Sequence, residues 1–230
     1  MAEPGYGRDD NQEQDTLIPR ASPSRPRKPI LLPPLNFPSE SFVFSAGSVL
    51  FRTHPDTGVL QVCVIHNTKR NAWILPKGRK DQNESMDATA VRETFEETGF
   101  PCELYPCRMQ TRAPAPGVNV NWKVVLEAKE SLEPFYVTVR QMGDKTLKMI
   151  WWYLTWLKGN NAEKVPGVHM PSEAGYVSQF VDTEKAIELL EGTNFAEIVE
   201  RAVDLVKSSL VDIPSSSESE SDTLEVLDDI

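Results

Sequence analysis

Between residues 41 and 211 apolar positions recur with a period of two in some stretches and about 3.6 in others. SFVFSAGSVLFR (41–52) reads as a strand, with Ala46 and Gly47 leaving room for a close backbone approach. HPDTG (54–58) has turn chemistry. VLQVCVIHN (59–67), rich in Val and Ile, predicts a second strand paired with the first as a hairpin. AWILP (72–76) is a short apolar run that stops at Pro76. CELYPCRMQ (102–110), NVNWKVVLEAK (119–129), FYVTVRQ (135–141) and KTLKMIWWYLTWL (145–157) are strand-like, the last two paired across Met142, Gly143 and Asp144.

The longer period appears in three places. Residues 85–98 predict a helix, capped by Ser85 or Asp87 and ended by Gly99 ahead of Pro101. DTEKAIELLEG (182–192) and FAEIVERAVDLVKSSL (195–210) predict amphipathic helices. Strands and helices do not alternate and no repeat is visible, so the fold class is α+β, a mixed sheet between helices. At about 100° per residue, Ala88, Val91 and Phe95 share one sector of the first helix. Glu93, Glu96 and Glu97 share another, roughly opposite. This pattern predicts that the helix buries the first sector and presents three carboxylates on the second.

The flanks differ from this middle. Residues 1–40 hold eight of the 18 prolines, which opposes both ladders and helices and predicts a disordered Pro-rich arm. Residues 212–230 carry seven acids and no base, predicting a disordered acidic, Ser-rich tail. Serines between Ser215 and Ser221 offer sites for phosphorylation, or the tail simply solubilises. The domain organisation expected is therefore arm, folded domain (41–211) and tail.

Charge and composition narrow the function. The 230-residue chain has a formal charge of −10, which argues against coating nucleic acid by bulk positive charge. Residues 41–211 keep 21 acids and 19 bases, so most of the excess lies in the tail. No stretch has the length of a membrane span, and the first residues carry no apolar core of a secretory signal. Three cysteines cannot make a disulfide framework, so a reducing compartment, cytosol or nucleus, is expected.

Acids at i, i+3 and i+4 repel one another on an isolated helix and raise one another's pKa values. A hard divalent cation such as Mg²⁺ or Mn²⁺, held by oxygen ligands, removes that conflict; a solvated acidic face is the alternative. The surrounding residues favour the cation. Gly78 precedes Glu84 with five residues between, seven more separate Glu84 from Arg92-Glu93, and Glu96-Glu97 and Gly99 follow. GRKDQNESMDATAVRETFEETGF resembles the Nudix box, G-x5-E-x7-R-E-U-x-E-E-x-G-U, where U is bulky and apolar. All seven fixed positions match, a coincidence expected on the order of one time in a million by composition alone. Thr94 departs from the pattern at a position usually aliphatic, which touches packing and leaves the carboxylates in place.

The resemblance implies a Nudix-type mixed β-sheet sandwiched between helices. It implies hydrolysis of a nucleoside diphosphate linked to another group, or of a related organic diphosphate. Glu93, Glu96 and Glu97 would ligate Mg²⁺ or Mn²⁺, with Glu84 and the Gly78 carbonyl nearby in the shell. Arg92 would hold the loop to the helix through Glu84 or Glu96. The general base would be Glu93, or a glutamate from a distant loop, Glu173 or, less well placed, Glu163. SAGSVLFR, the Trp73–Gly78 run, KTLKMIWWYLTW and FVDTEKAIELL also look similar to two Nudix subgroups. These are the asymmetric diadenosine tetraphosphate hydrolases and the diphosphoinositol polyphosphate phosphohydrolases.

A small-molecule polyphosphate substrate suits the local bases. Lys69, Arg70, Lys77, Arg79 and Lys80 fall inside a dozen residues, and Arg140, Lys145 and Lys148 lie on the later hairpin. Lys77, Arg79 and Lys80 are the expected substrate contacts, and Tyr176 and Phe180 candidate stacking groups for a base. His54, His66 and His169 show no zinc spacing, Cys102 and Cys107 have no second pair, and Trp151, Trp152 and Trp156 read as core. Two other readings stay open: a ligand-sensing or interaction module, and an RNA cap hydrolase. No membrane partner is expected.

Overall fold

A computed structural model of the chain describes residues 34–143, 146–159 and 163–211. The arm expected over 1–40 lies outside them up to residue 33, as do the tail, Asp144 and Lys145. Within 34–40 a 3₁₀ turn begins at Ser39 and runs to Ser41. Every element below belongs to the compact unit that starts at Phe37.

In chain order the strands are β1 (Phe42–Thr53), β2 (Leu60–Asn67), β3 (Ala72–Ile74) and β4 (Lys77–Arg79), then helix α1 (Met86–Thr98). β5 (Cys102–Leu104), β6 (Cys107–Thr111), β7 (Leu126–Ser131), β8 (Tyr136–Met142) and β9 (Thr146–Leu157) follow. β10 (Tyr176–Asp182) leads into α2 (Thr183–Leu189) and α3 (Asn194–Val211). The main sheet runs β10-β2-β1-β9-β5, with β3 on β2, β4 on β1 and β8 on β9. Only the β1–β9 pair is parallel, so the sheet is mixed, and β6 and β7 form a separate hairpin.

One feature of the register creates the site. β1 and β2 pair only over Phe51–Thr53 and Leu60–Val62. Beyond that point β3 takes the free edge of β2 and β4 the free edge of β1. The segment 72–79 is thus wedged between two diverging strands, and the Ser48 N–H donates to the Pro76 carbonyl at 3.2 Å. Gly47 allows the wedge: a Cβ there would lie 2.6 Å from Lys77 Cβ and 2.9 Å from the Trp152 ring.

Alternation along β1 divides the core. Val49 and Phe51 point to the side covered by α2 and α3, where they pack with Val62, Val64, Trp152, Ile198, Val199 and Ala202. Ala46, Ser48 and Leu50 point to α1. Helix α1 begins at Ser85, whose Oγ accepts the Ala88 N–H, and ends at Gly99 with φ 78°, a left-handed cap that glycine adopts without strain.

Several sequence expectations need correction. The buried side of α1 is not Ala88, Val91 and Phe95 but Thr89, Ala90, Glu93, Thr94, Glu97 and Thr98. A stripe of threonines and glutamates is invisible to an apolar count. Residues 119–125 are not a strand: Trp122, Val124 and Val125 are exposed, and the alternation there finds no partner. The run 102–110 breaks into β5 and β6 at Tyr105 and Pro106, and β10 was not expected at all. Thr94 has a partner for its hydroxyl, since Ser48 Oγ lies 2.6 Å from Thr94 Oγ1 and 2.7 Å from Thr155 Oγ1 in a buried chain.

Candidate active site

Where β4 meets α1 the backbone comes against a carboxylate. Gly78 faces Glu93 so closely that a Cβ would overlap the carboxyl group, so no other residue fits. The loop from β4 to α1 turns at Asn83 (φ 62°) and returns Glu84 to the helix. Arg92 binds it there through two parallel bonds, Nε to Oε1 at 2.8 Å and Nη2 to Oε2 at 2.9 Å. Thr89 Oγ1 (2.8 Å) and the Asp81 N–H (3.1 Å) also donate to Glu84. These donors, Arg92 foremost, pull the Glu84 pKa down to about 2. As placed, Glu84 anchors the loop, and it does not line the cleft.

Arg92 does more than pin the loop. Its Nη1 donates to Glu93 at 2.8 Å and to Glu96 at 2.9 Å, and its Nη2 to the Arg79 carbonyl at 3.0 Å. One guanidinium thereby fixes three carboxylates and one strand end. Glu97 has no cation in direct contact; its Oε2 accepts the Lys77 N–H at 2.9 Å. Burial pushes its pKa up to about 8, with Glu173 and Glu93 adding to the rise and Lys77 opposing it. Burial raises Glu93 as well, against Arg92.

These groups face a cleft of about 760 Å³. Glu93, Glu96, Glu97, Gly78, Arg79 and Arg92 line it from the box, Lys148 from β9, and Arg70, Met170, Glu173 and Tyr176 complete its wall. Glu173 sits in a short 3₁₀ turn after Met170, whose N–H donates to its Oε2 at 2.9 Å. Burial, with Glu97 and Glu173, raises the Tyr176 phenol. Glu163 does not line this cleft, and Lys80 turns its ammonium to the Asp81 carbonyl. Phe180 does not line it either: it lies under the Arg52 guanidinium at 4.2 Å and beside Phe100. Met170 and Asp81 line the cleft without having been singled out in the sequence, which holds no spacing signal for either. A second cavity of about 510 Å³, between Arg52, His54 and Trp156, has no carboxylate in its wall.

A family model described as the NUDIX domain matches residues 43–135. The chain is 34% identical over 109 residues to nucleoside diphosphate-linked moiety X motif 6 of Xenopus laevis, covering 46% of this chain and 47% of that one. It is 41% identical over 75 residues to an 8-oxo-(d)GTP phosphatase of Mycolicibacterium smegmatis, covering 29% and 23% respectively. It therefore spans about half or less of the length of these curated relatives. Among solved structures, a Caenorhabditis elegans Ap4A hydrolase binary complex superposes with a TM-score of 0.48 at 15% identity, over 72% of this chain and 98% of that one. The NUDIX domain of Shewanella oneidensis NrtR with ADP ribose gives 0.45 at 14%, over 74% and 93%.

Among the described residues no group of three or more acids, histidines or cysteines is placed to hold a metal ion. As placed, the glutamates of α1 contact Arg92 and the Lys77 N–H. The donor set nevertheless suits a hard divalent cation. Glu93 and Glu97 are 8% and 4% exposed carboxylates whose pKa values burial raises, and among the described residues Glu97 has no cation in direct contact. Among the described residues no helix is long and apolar enough to cross a membrane.

Proposed function

We propose that the chain is a Mg²⁺- or Mn²⁺-dependent hydrolase of a diphosphate linkage in an organic polyphosphate, either a dinucleoside polyphosphate or a diphosphoinositol polyphosphate. The observation that carries this is the cleft itself, where Glu93, Glu96 and Glu97 of a NUDIX domain face Glu173 across a cavity of about 760 Å³. Glu93, Glu96 and Glu97, with the Gly78 carbonyl, would hold the cation. When bound, it would polarise the diphosphate and offset the charge of the leaving phosphate.

The remaining work falls to side chains. Arg92 keeps Glu93 and Glu96 in place and ties the 80–85 loop down through Glu84. We assign the proton of the attacking water to Glu173. Its Oε2 accepts the Met170 N–H, whereas Glu93 Oε1 is occupied by Arg92. The proton passes to Glu173 as the oxygen bonds to phosphorus and the bridging oxygen leaves with the second phosphate. Arg79, with Lys77 next to Glu97, neutralises substrate phosphates, and Tyr176 offers a ring face for a base or inositol. Residues 41–211 are the proposed catalytic unit. Phosphate release from diadenosine polyphosphates, diphosphoinositol polyphosphates, nucleotide sugars and capped RNA, with Mg²⁺ or Mn²⁺, tests this. Cleavage within the first two classes is expected. No release from any diphosphate, or full activity in Glu96→Gln, would overturn it.

A further inference from the structure

β8 ends the main sheet on one side. It pairs with β9 from Tyr136 to Met142 without a register shift, and among the described residues no strand pairs with its other edge. A free edge offers a row of N–H and C=O groups to any strand that fits, and folded chains blunt it with proline, lysine or a bulge. YVTVRQM has none of these. Its two faces differ. Val137 and Val139 are 50% and 59% exposed. They lie in register with Trp151 and Met149 of β9, which lie in register with Ala46 and Phe44 of β1. Phe44 is exposed as well, and its ring packs on those of Phe42 and Trp151. The apolar rows of the sheet therefore run out to the open edge and stop there. On the other face the Tyr136 hydroxyl donates to Glu197 of α3, and Thr138 accepts the Trp152 indole N–H at 3.0 Å. Arg140 follows on that face, exposed and, among the described residues, without an ion pair.

A second copy of β8 matches both faces at once. Laid antiparallel about a two-fold axis at Thr138, the strands set Val139 opposite the partner's Val137, twice. The row from Phe44 through Met149 and Val139 then continues into the partner's Val137 and Trp151. On the other face Arg140 comes opposite the partner's Tyr136. Cross-strand Cβ atoms lie about 5 Å apart, so the guanidinium lies along the phenol ring and reaches the partner's Glu197 at its end. The two Arg140 side chains stay four positions apart. An axis one residue later would set them diagonal to each other and the carboxylate out of register. We propose that the chain forms a two-fold dimer through β8, which carries the main sheet on into the partner. The match of Arg140 to the Tyr136–Glu197 pair fixes the register and singles out a second copy as the occupant. One seven-residue strand from each copy makes a small interface, so the dimer dissociates on dilution, with Kd on the order of 10–100 µM. None of these residues lines the cleft of Glu93 and Glu97, so the dimer does not depend on catalysis.

Sedimentation velocity on the full chain tests this. Between about 5 and about 500 µM the parent should pass from monomer to dimer. Val139→Lys changes an exposed side chain, so the urea midpoint should stay at the parent value. It sets an ammonium against the partner's Val137 at two places and should raise Kd roughly tenfold or more. Arg140→Glu should do the same, because it brings a second carboxylate to the partner's Glu197. Combining Arg140→Glu with Glu197→Arg should restore the dimer, which no other pairing of this edge predicts. A parent that stays monomeric to about 500 µM overturns the proposal. So does a dimer that either single variant leaves intact, since the contact then lies elsewhere on the surface. A folded double variant that regains no dimer overturns it too, because the register then differs from the one derived.

Discussion

Replacing Glu97 separates folding from metal binding. Its carboxyl is 4% exposed, accepts one N–H from Lys77, and has a pKa raised by burial from 4.5 to about 8. In the metal-free chain the folded state therefore keeps a proton that the unfolded chain gives up near 4.5. The folded-state value is the higher one, so the group costs nothing below pH 4.5. Stability falls as pH rises from there, and the loss levels off above about 8. By pH 8 the loss from this one group is on the order of 4 kcal/mol as an upper figure. Glu97→Gln keeps an acceptor for the Lys77 N–H and carries no charge. Urea unfolding in EDTA should show parent and variant equally stable near pH 5, with the variant pulling ahead as pH rises to 8. Taking the difference at each pH cancels the other titrating groups. Adding Mg²⁺ should reverse the order by stabilising the parent alone. A metal-free variant that gains nothing over the parent between pH 5 and pH 8 would refute the reasoning, as would a variant that Mg²⁺ stabilises.

Gly78→Ala puts a methyl group into the Glu93 carboxylate and should cost about 1–3 kcal/mol in the urea midpoint, with turnover reduced at least a hundredfold. Thr94→Val leaves the buried Ser48 hydroxyl with one fewer partner and should cost about 1–3 kcal/mol while kcat stays within twofold. Arg92→Lys cannot make the two parallel bonds to Glu84, so hydrogen exchange in the 80–85 loop should speed up at neutral pH. The pull of Arg92 on Glu84 acts in the opposite sense to burial at Glu97. Its contribution is complete above 4.5 and is lost as pH falls through about 2, so in the parent the loop should stay protected at pH 4.

The parts that were legible in the sequence are those where chemistry and spacing coincide. Ser85 and Gly99 bracket α1 because a hydroxyl cap and a left-handed residue leave plain marks. The β1–β2 and β8–β9 hairpins follow from alternation next to turn residues. What was not legible depends on partners far along the chain. The buried stripe of α1 is polar: Thr94 is satisfied by Ser48 and the Ala90 carbonyl, and Glu93 sits against Gly78. β4 is three residues long and exists only because β1 and β2 diverge. Residues 119–125 carry a strand's alternation without a neighbouring edge to pair with.

The central claim is that the glutamates of α1 hold a divalent cation, and Mn²⁺ binding followed by electron paramagnetic resonance tests it most directly. Titrating the full chain should remove the signal of free Mn²⁺, and Glu97→Gln and Glu96→Gln, both still folded by circular dichroism, should leave most of it in place. Undiminished free Mn²⁺ with the parent, or equal uptake by parent and variants, would contradict the account.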